Sequence, residues 1–502
     1  MEKAIQRCGF VAVVVFVCFA FISQGYGAID WWGDVQPPDP STWTSDTDVD
    51  IGNCDDGGIS VTEGDDIEAY RAYLGYNAGA SGIATIDGAG SSWSCSENLS
   101  IGFYGQGTLE ISNGGNVEYR CAYIGREHGS TGEVSVDGAG SNLSCSGYYN
   151  TGLIVGYYGQ GILEISNGGN VTCENDNYSV RAYIGYDDGS MGIVSVDGAG
   201  SSWYCSESLF VGYAGQGTLE ITSGGNVSCY YRGYIGGSWF LSGGTGTVSV
   251  DGAGSNWSCR DELYVGYKGQ GMLEISNGGN VSCNGGYIGY KSGWTGEVSV
   301  GGAGSSWYCT GGELFVGYEG QGTLNISNGG NVRCDYSGWI GYHPGTTGEV
   351  SVDGAGSSLR CGTDLYVGKE GQGTLEISSG GYVRCWYGYI GNESGSTGEV
   401  SVDGEGSSLR CGVDLYVGKE GQGTLEVSNG GNVSCVADLY VGYYGQGTLE
   451  ISNGGNVSCV ADLHVGYYGQ GTLEISNGGN VKVIGDTWVA TKEGSTGQIN
   501  FN

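Results

Sequence analysis

Between residues 49 and 502 apolar and polar side chains alternate in short bursts that return at a nearly fixed distance along the chain. In Thr448-Leu449-Glu450-Ile451-Ser452, Leu449 and Ile451 share one face and Glu450 takes the other, the period-two pattern of a half-buried strand. A shorter burst follows at Val457-Ser458-Cys459, and a third at Leu463-His464-Val465. Between them lie Asn-Gly-Gly-Asn and Gly-Tyr-Tyr-Gly-Gln-Gly, where glycine supplies the positive φ that sharp corners need. Three short strands and three corners predict one triangular rung of an all-β parallel β-helix.

The rung is a repeat. Ser434 to Val457 and Ser458 to Val481 are successive 24-residue copies with a single change, Tyr440 to His464. Their skeleton, Gly-Gln-Gly-x-Leu-x-Ile followed by Gly-Gly-x-Val, is anchored at Gly107, Gly161, Gly217, Gly271, Gly322, Gly373, Gly423, Gly447 and Gly471 (type A). A cousin built on Gly-x-Val-Ser-Val-Asp-Gly-Ala-Gly-Ser is anchored at Gly82, Gly132, Gly192, Gly246, Gly296, Gly348 and Gly398 (type B). Self-similarity at mostly 24 to 26 residues marks a solenoid. One rung cannot bury its own inward face, but stacking at about 4.8 Å buries it against its neighbours. Counting a degenerate rung at Gly57 and a partial last one gives roughly 18 rungs and a rod of roughly 85 Å. Leu109, Val134, Leu163 and Val194 then form one apolar file.

Residues 1–27 read as a signal peptide, with Lys3 and Arg7 before the apolar run Phe10 to Ile22, then Gly25 and Gly27 at the cleavage site. The run is too short to span a bilayer, which takes about 20 residues, so the mature chain has no transmembrane span. Cys18 lacks the small neighbours that lipoprotein processing wants. Residues 28–48 contain Pro-Pro-Asp-Pro and read as an extended lead-in, because proline cannot donate to a ladder. Trp31, Trp32 and Trp43 are its candidates to cover the first rung. Residues 49–502 then form a single elongated repeat domain. Its last strand, Gly497 to Asn502, begins a rung and leaves an open upper edge, which invites end-to-end self-association.

Charge narrows the partners. The whole chain carries −36 and loses Glu2, Lys3 and Arg7 with the signal peptide, so the mature chain carries −37. Nucleic acid and anionic membrane demand a basic face and are excluded as partners. The acidity reads first as a solvated surface. A divalent-cation role is the alternative, with Glu426, Glu450 and Glu474 as weak Ca²⁺ candidates because three type A rungs stack directly there.

Fifteen cysteines, from Cys95 and Cys121 to Cys459, occur once per rung at the second strand, where Ala69 and Val483 stand in the rungs just outside the file. That substitution pattern points to a small apolar core site, with inter-rung disulfides as the alternative. No Cys-x-x-Cys spacing supports zinc. Trp93, Trp203, Trp257 and Trp307 occupy an inward position that Leu143, Leu359 and Leu409 fill elsewhere. The Asp of Val-Asp-Gly-Ala-Gly reads as a turn-former bonding its own backbone.

The rungs YVGYYGQGTLEISNGGNVSC and YIGYKSGWTGEVSVGGAGSSWYC resemble the repeat shared by type V secretion (autotransporter) passengers and PEP-CTERM proteins of Gram-negative bacteria. That resemblance implies a β-solenoid outside the cell or on its outer surface, and brings no catalytic residues with it. At its C-terminus the sequence differs from the family, showing neither a β-barrel translocator nor a Pro-Glu-Pro anchor. The implied role is a stalk or adhesin-type scaffold, not an enzyme, with no cofactor. A polysaccharide-acting enzyme of the parallel β-helix type is the alternative, against which His128, His343 and His464 lie in well-separated rungs. The corner pairs Tyr157-Tyr158, Tyr443-Tyr444 and Tyr467-Tyr468 form an aromatic edge suited to carbohydrate or another surface protein, unless the rings serve only to shield the corner.

Overall fold

A computed structural model describes residues 29–147, 152–175 and 179–501; the segment 1–27 lies outside them. Gln446–Ile451, Asn456–Cys459 and Leu463–Val465 are the three strands of one rung. Each strand pairs in parallel with its equivalents in the rungs on either side, so the rungs build three sheets around one continuous core. The first sheet holds the long strands, the second the cysteines and the third the short aromatic strands. Eighteen of the 19 long strands are parallel rungs, and the remaining one, Ile29–Gly33, lies antiparallel at the N-terminal end. The expected file from Leu109 through Val134 and Leu163 to Val194 is in register and buried.

Corners depart from the sequence reading in one respect. At Asn113-Gly114 both residues are left-handed, with φ of 50° and 93°. Asparagine therefore shares the role given to glycine alone, which its short polar side chain allows. At Gly102 a different pressure acts: a Cβ there would lie 2.2 Å from the carbonyl oxygen of Thr131 in the next rung.

The aspartates of type B rungs are clamps between rungs, not turn-formers. Asp137 Oδ1 accepts hydrogen bonds from Ser166 Oγ and Asn167 Nδ2, both at 2.6 Å, and Asp251 does the same with Ser276 and Asn277. The turn is held instead by serine: buried Ser141 Oγ donates to the carbonyl of Asp137 and accepts from Gly114 N–H.

Cys121 is not part of the cysteine file. Asn116–Tyr119 places Tyr119 opposite Cys145, whereas Cys121 opens the following strand and pairs with Asn98. Alternation from Val117 explains it, since residue 119 is the next inward position and residue 121 lies beyond the corner. The file thus holds 14 cysteines, with Ala69 opposite Cys95 and Val483 opposite Cys459. All are buried free thiols, some in close contact, as with Cys283 and Cys309 at 3.8 Å between sulfurs.

Large and small side chains alternate across the core by a rule. The first inward residue of the third strand is Ala72, Ala122, Ala182, Gly233, Gly286, Gly338 or Gly388 where a type B rung follows. It is leucine, as at Leu99, Leu153, Leu263, Leu439 and Leu463, where a type A rung follows. The next rung crowds that position, through its cysteine and leucine at Gly338 and Gly388, where a Cβ would lie 2.6 Å from Cys361 Sγ and 2.8 Å from Leu415 Cδ1, and also through the wide second-strand tryptophan at Gly286 and Gly233. A Cβ on Gly286 would lie 2.6 Å from Cζ2 of Trp307, and one on Gly233 2.9 Å from that of Trp257. The four tryptophans are fully buried, as read from their inward positions.

At the N-terminal end the lead-in is stranded. Ile29–Gly33 runs antiparallel to Gly57–Val61, and Val35–Gln36 antiparallel to Asp50–Ile51. Of the three candidate capping tryptophans only Trp43 is buried, its indole donating to the Pro37 carbonyl; Trp31 and Trp32 stay 44% and 38% exposed. Reversed pairing fits a cap, because it satisfies the edge of the first rung without extending the stack.

Candidate functional site

The third strand has an inward first and last residue and an outward middle one. From Tyr183 to His464 every rung carries a ring at that middle position, and register stacks the rings. Neighbours lie 4.0 to 6.1 Å apart with planes within 5° to 16° of parallel. A second column stands at the adjoining corner, including Tyr267, Tyr290, Tyr318 and Tyr342. Its rings meet the first column edge-on, as Tyr267 meets Tyr234 at 83°. Offset stacks and edge-to-face contacts are the favoured aromatic geometries. Outward residues such as Phe210 and Tyr234 are consequently buried, forming a second apolar cluster outside the solenoid core. Burial pushes the phenols up, that of Tyr389 to about 12.

The six tyrosines singled out from the sequence do not form one site. Tyr157 and Tyr158 sit far along the rod and pack on each other and, through Tyr157, on Tyr186. Tyr443 and Tyr467 are half-buried, stacked together and set edge-on against Tyr440 and His464. Tyr444 and Tyr468 stack at 4.8 Å and present their rings to solvent, 55% and 43% exposed.

Those two rings border a groove of about 420 Å³. Its floor is polar: Gln422, Gln446 and Gln470 stand in register at the start of successive long strands, with Glu420 beside them. The amide file, the carboxylate and the flat rings are the elements that recognise a polyhydroxylated ligand, hydrogen-bonding its hydroxyls and covering its apolar face.

Glu426, Glu450 and Glu474 are directly opposite one another in the long-strand sheet. The Glu450 carboxyl is held above its ordinary range, first by partial burial and then by the charges of Glu426 and Glu474. Asn500 Nδ2 donates to Glu474. A different trio has its potential ligand atoms within 4.8 Å of one another: Asp438, Asp462 and His464. Sequence reading passed over it, although the signal was present as the sole difference between the tandem copies. The three histidines occupy separate rungs, as expected.

No helix among the described residues is long and apolar enough to cross a membrane. No family model matches the chain. Over 295 residues it is 29% identical to an uncharacterised lipoprotein, YdeK, of Escherichia coli K12, a match covering 46% of this chain and 21% of that protein. Over 103 residues it is 31% identical to the adhesin BmaC autotransporter of Brucella suis biovar 1, covering 20% and 3% respectively. The chain thus spans about a fifth of the first relative's length and far less of the second's. Among solved structures, a TibC-catalysed hyperglycosylated TibA fragment matches 88% of this chain and 96% of its own, at 16% identity and a TM-score of 0.24.

Proposed function

We propose that this chain is an exported, surface-displayed β-solenoid of the autotransporter-passenger kind, a rigid stalk bearing an adhesin-type binding edge for carbohydrate. The groove beside Tyr444 and Tyr468 carries the reading, because it joins two solvent-facing rings to a file of three glutamines in the part of the rod where rungs are near-copies. Repetition of the same donors and rings at one-rung spacing suits a repeating polymer, which can meet several equivalent contacts at once. The partial match to an adhesin autotransporter supports an extracellular setting. Binding of the full chain to an array of immobilised oligosaccharides tests the proposal. The chain is expected to retain at least one polysaccharide class, with the Tyr444→Ala, Tyr468→Ala double variant losing at least tenfold in affinity. Failure to bind any glycan, or equal binding by the double variant, overturns it.

A further inference from the structure

In three rungs the third-strand tyrosine hydroxyl donates to the aspartate two residues before it: Tyr366 to Asp364 at 3.3 Å, Tyr416 to Asp414 at 3.1 Å and Tyr440 to Asp438 at 2.9 Å. Asp462 has no such partner in its own rung, because the tyrosine is replaced there by His464. The imidazole keeps the tyrosine's place in the stack, 4.7 Å from Tyr440 and 6° from parallel, with Tyr467 edge-on to it at 5.0 Å. It is 8% exposed, and its Nδ1 is buried without a hydrogen-bond partner. A ring nitrogen and a carboxylate oxygen from each of Asp438 and Asp462 lie within 4.8 Å of one another.

The two carboxylates are fixed from above, by the following rung. Asp438 Oδ1 accepts the Asp462 N–H at 2.9 Å, and Asp462 Oδ1 accepts the Asp486 N–H at 2.8 Å. Their second oxygens meet Tyr440 OH and Trp488 Nε1, and each retains acceptor capacity, since an ionised carboxylate offers about four lone-pair sites.

From this arrangement we propose that Asp438, Asp462 and His464 bind a divalent transition-metal ion of the Zn²⁺ type, leaving a coordination position open to water. One imidazole and two carboxylates make a three-ligand protein set with an open fourth position. Imidazole selects zinc and its first-row neighbours over Ca²⁺ and Mg²⁺, which take all-oxygen shells. Bonds of about 2.1 Å put tetrahedral ligand atoms about 3.4 Å apart, so a trio whose atoms all lie within 4.8 Å of one another closes on the ion by small side-chain rotations. Coordination through a ring nitrogen gives a polar partner to an imidazole that stands buried in the ring stack.

The test is titration of the untagged full-length chain with Co²⁺, read by visible absorption, with Zn²⁺ as competitor. One equivalent is expected to bind, giving the bands of a four-coordinate nitrogen and oxygen site and released by Zn²⁺. His464→Tyr copies the neighbouring rung and therefore keeps the fold; it is expected to weaken binding at least tenfold, while Glu450→Gln leaves it unchanged. Equal affinity in the His464→Tyr variant overturns the proposal. So do thiolate charge-transfer bands, which would put the ion on the cysteines, and the absence of saturable binding.

Discussion

At the scale of single residues, the interior is governed by who stands above whom. Gly286 is small because Trp307 leans over it, and Leu439 is large because Val457 stands above it. Gly286→Leu should therefore overpack the core and cost about 3 kcal/mol. Adding Trp307→Val should recover most of that, since it recreates the Leu439 and Val457 arrangement. Urea unfolding of the two variants checks this; equal destabilisation in both would show that the pairing of large and small is incidental. The inward positions themselves were legible, because alternation fixes the face of Leu449 or Trp307. The pairing was not, because it compares residues a rung apart on different strands. Asp137 shows the same blindness: a local reading makes it a turn residue, and only the register reveals Ser166 and Asn167 within its reach.

Elements are set by register, and register has an electrostatic cost where like rungs meet. In the body of the rod, Glu164 faces Ser135 on one side and Ser195 on the other. In the tandem copies Glu450 faces Glu426 and Glu474, and its carboxyl is held above its ordinary value by partial burial and then by those neighbours. A carboxyl raised on folding binds more protons in the native state, so its contribution becomes less favourable as pH rises from its unfolded pKa through its folded one. Glu450→Gln should accordingly stabilise the rod above that window and lose its advantage in acid below it. Thermal melts of both proteins at pH 7 and pH 4 decide the matter, and a variant less stable at pH 7 would count against it. The strands were predicted correctly from period two alone. Cys121 was assigned to the wrong strand because composition, a cysteine per rung, was allowed to outweigh alternation from Val117. The aromatic columns were half legible: tyrosine abundance pointed to an edge, but the deep burial of Phe210 and Tyr234 depends on corner rings, Tyr213 beside Phe210 and Tyr267 one rung beyond Tyr234.

At the scale of the whole molecule, the two ends differ. The first rung is covered by reversed strands and by Trp43, whereas in the last rungs Trp488, Val489 and Phe501 are 46%, 46% and 76% exposed. The large-and-small rule has a separate consequence, for how such a rod changes length through recombination. Removing residues 458–481 leaves leucine under valine at the new junction and should yield a shorter protein with a nearly unchanged melting temperature. Excising one type B rung from the body sets Gly286 under Val332 and opens a hole, while excising one type A rung sets Leu263 under Trp307 and forces a clash. Single-rung insertions and deletions should therefore be tolerated only within the run of near-identical copies, and elsewhere the inheritable unit of length is a pair of rungs.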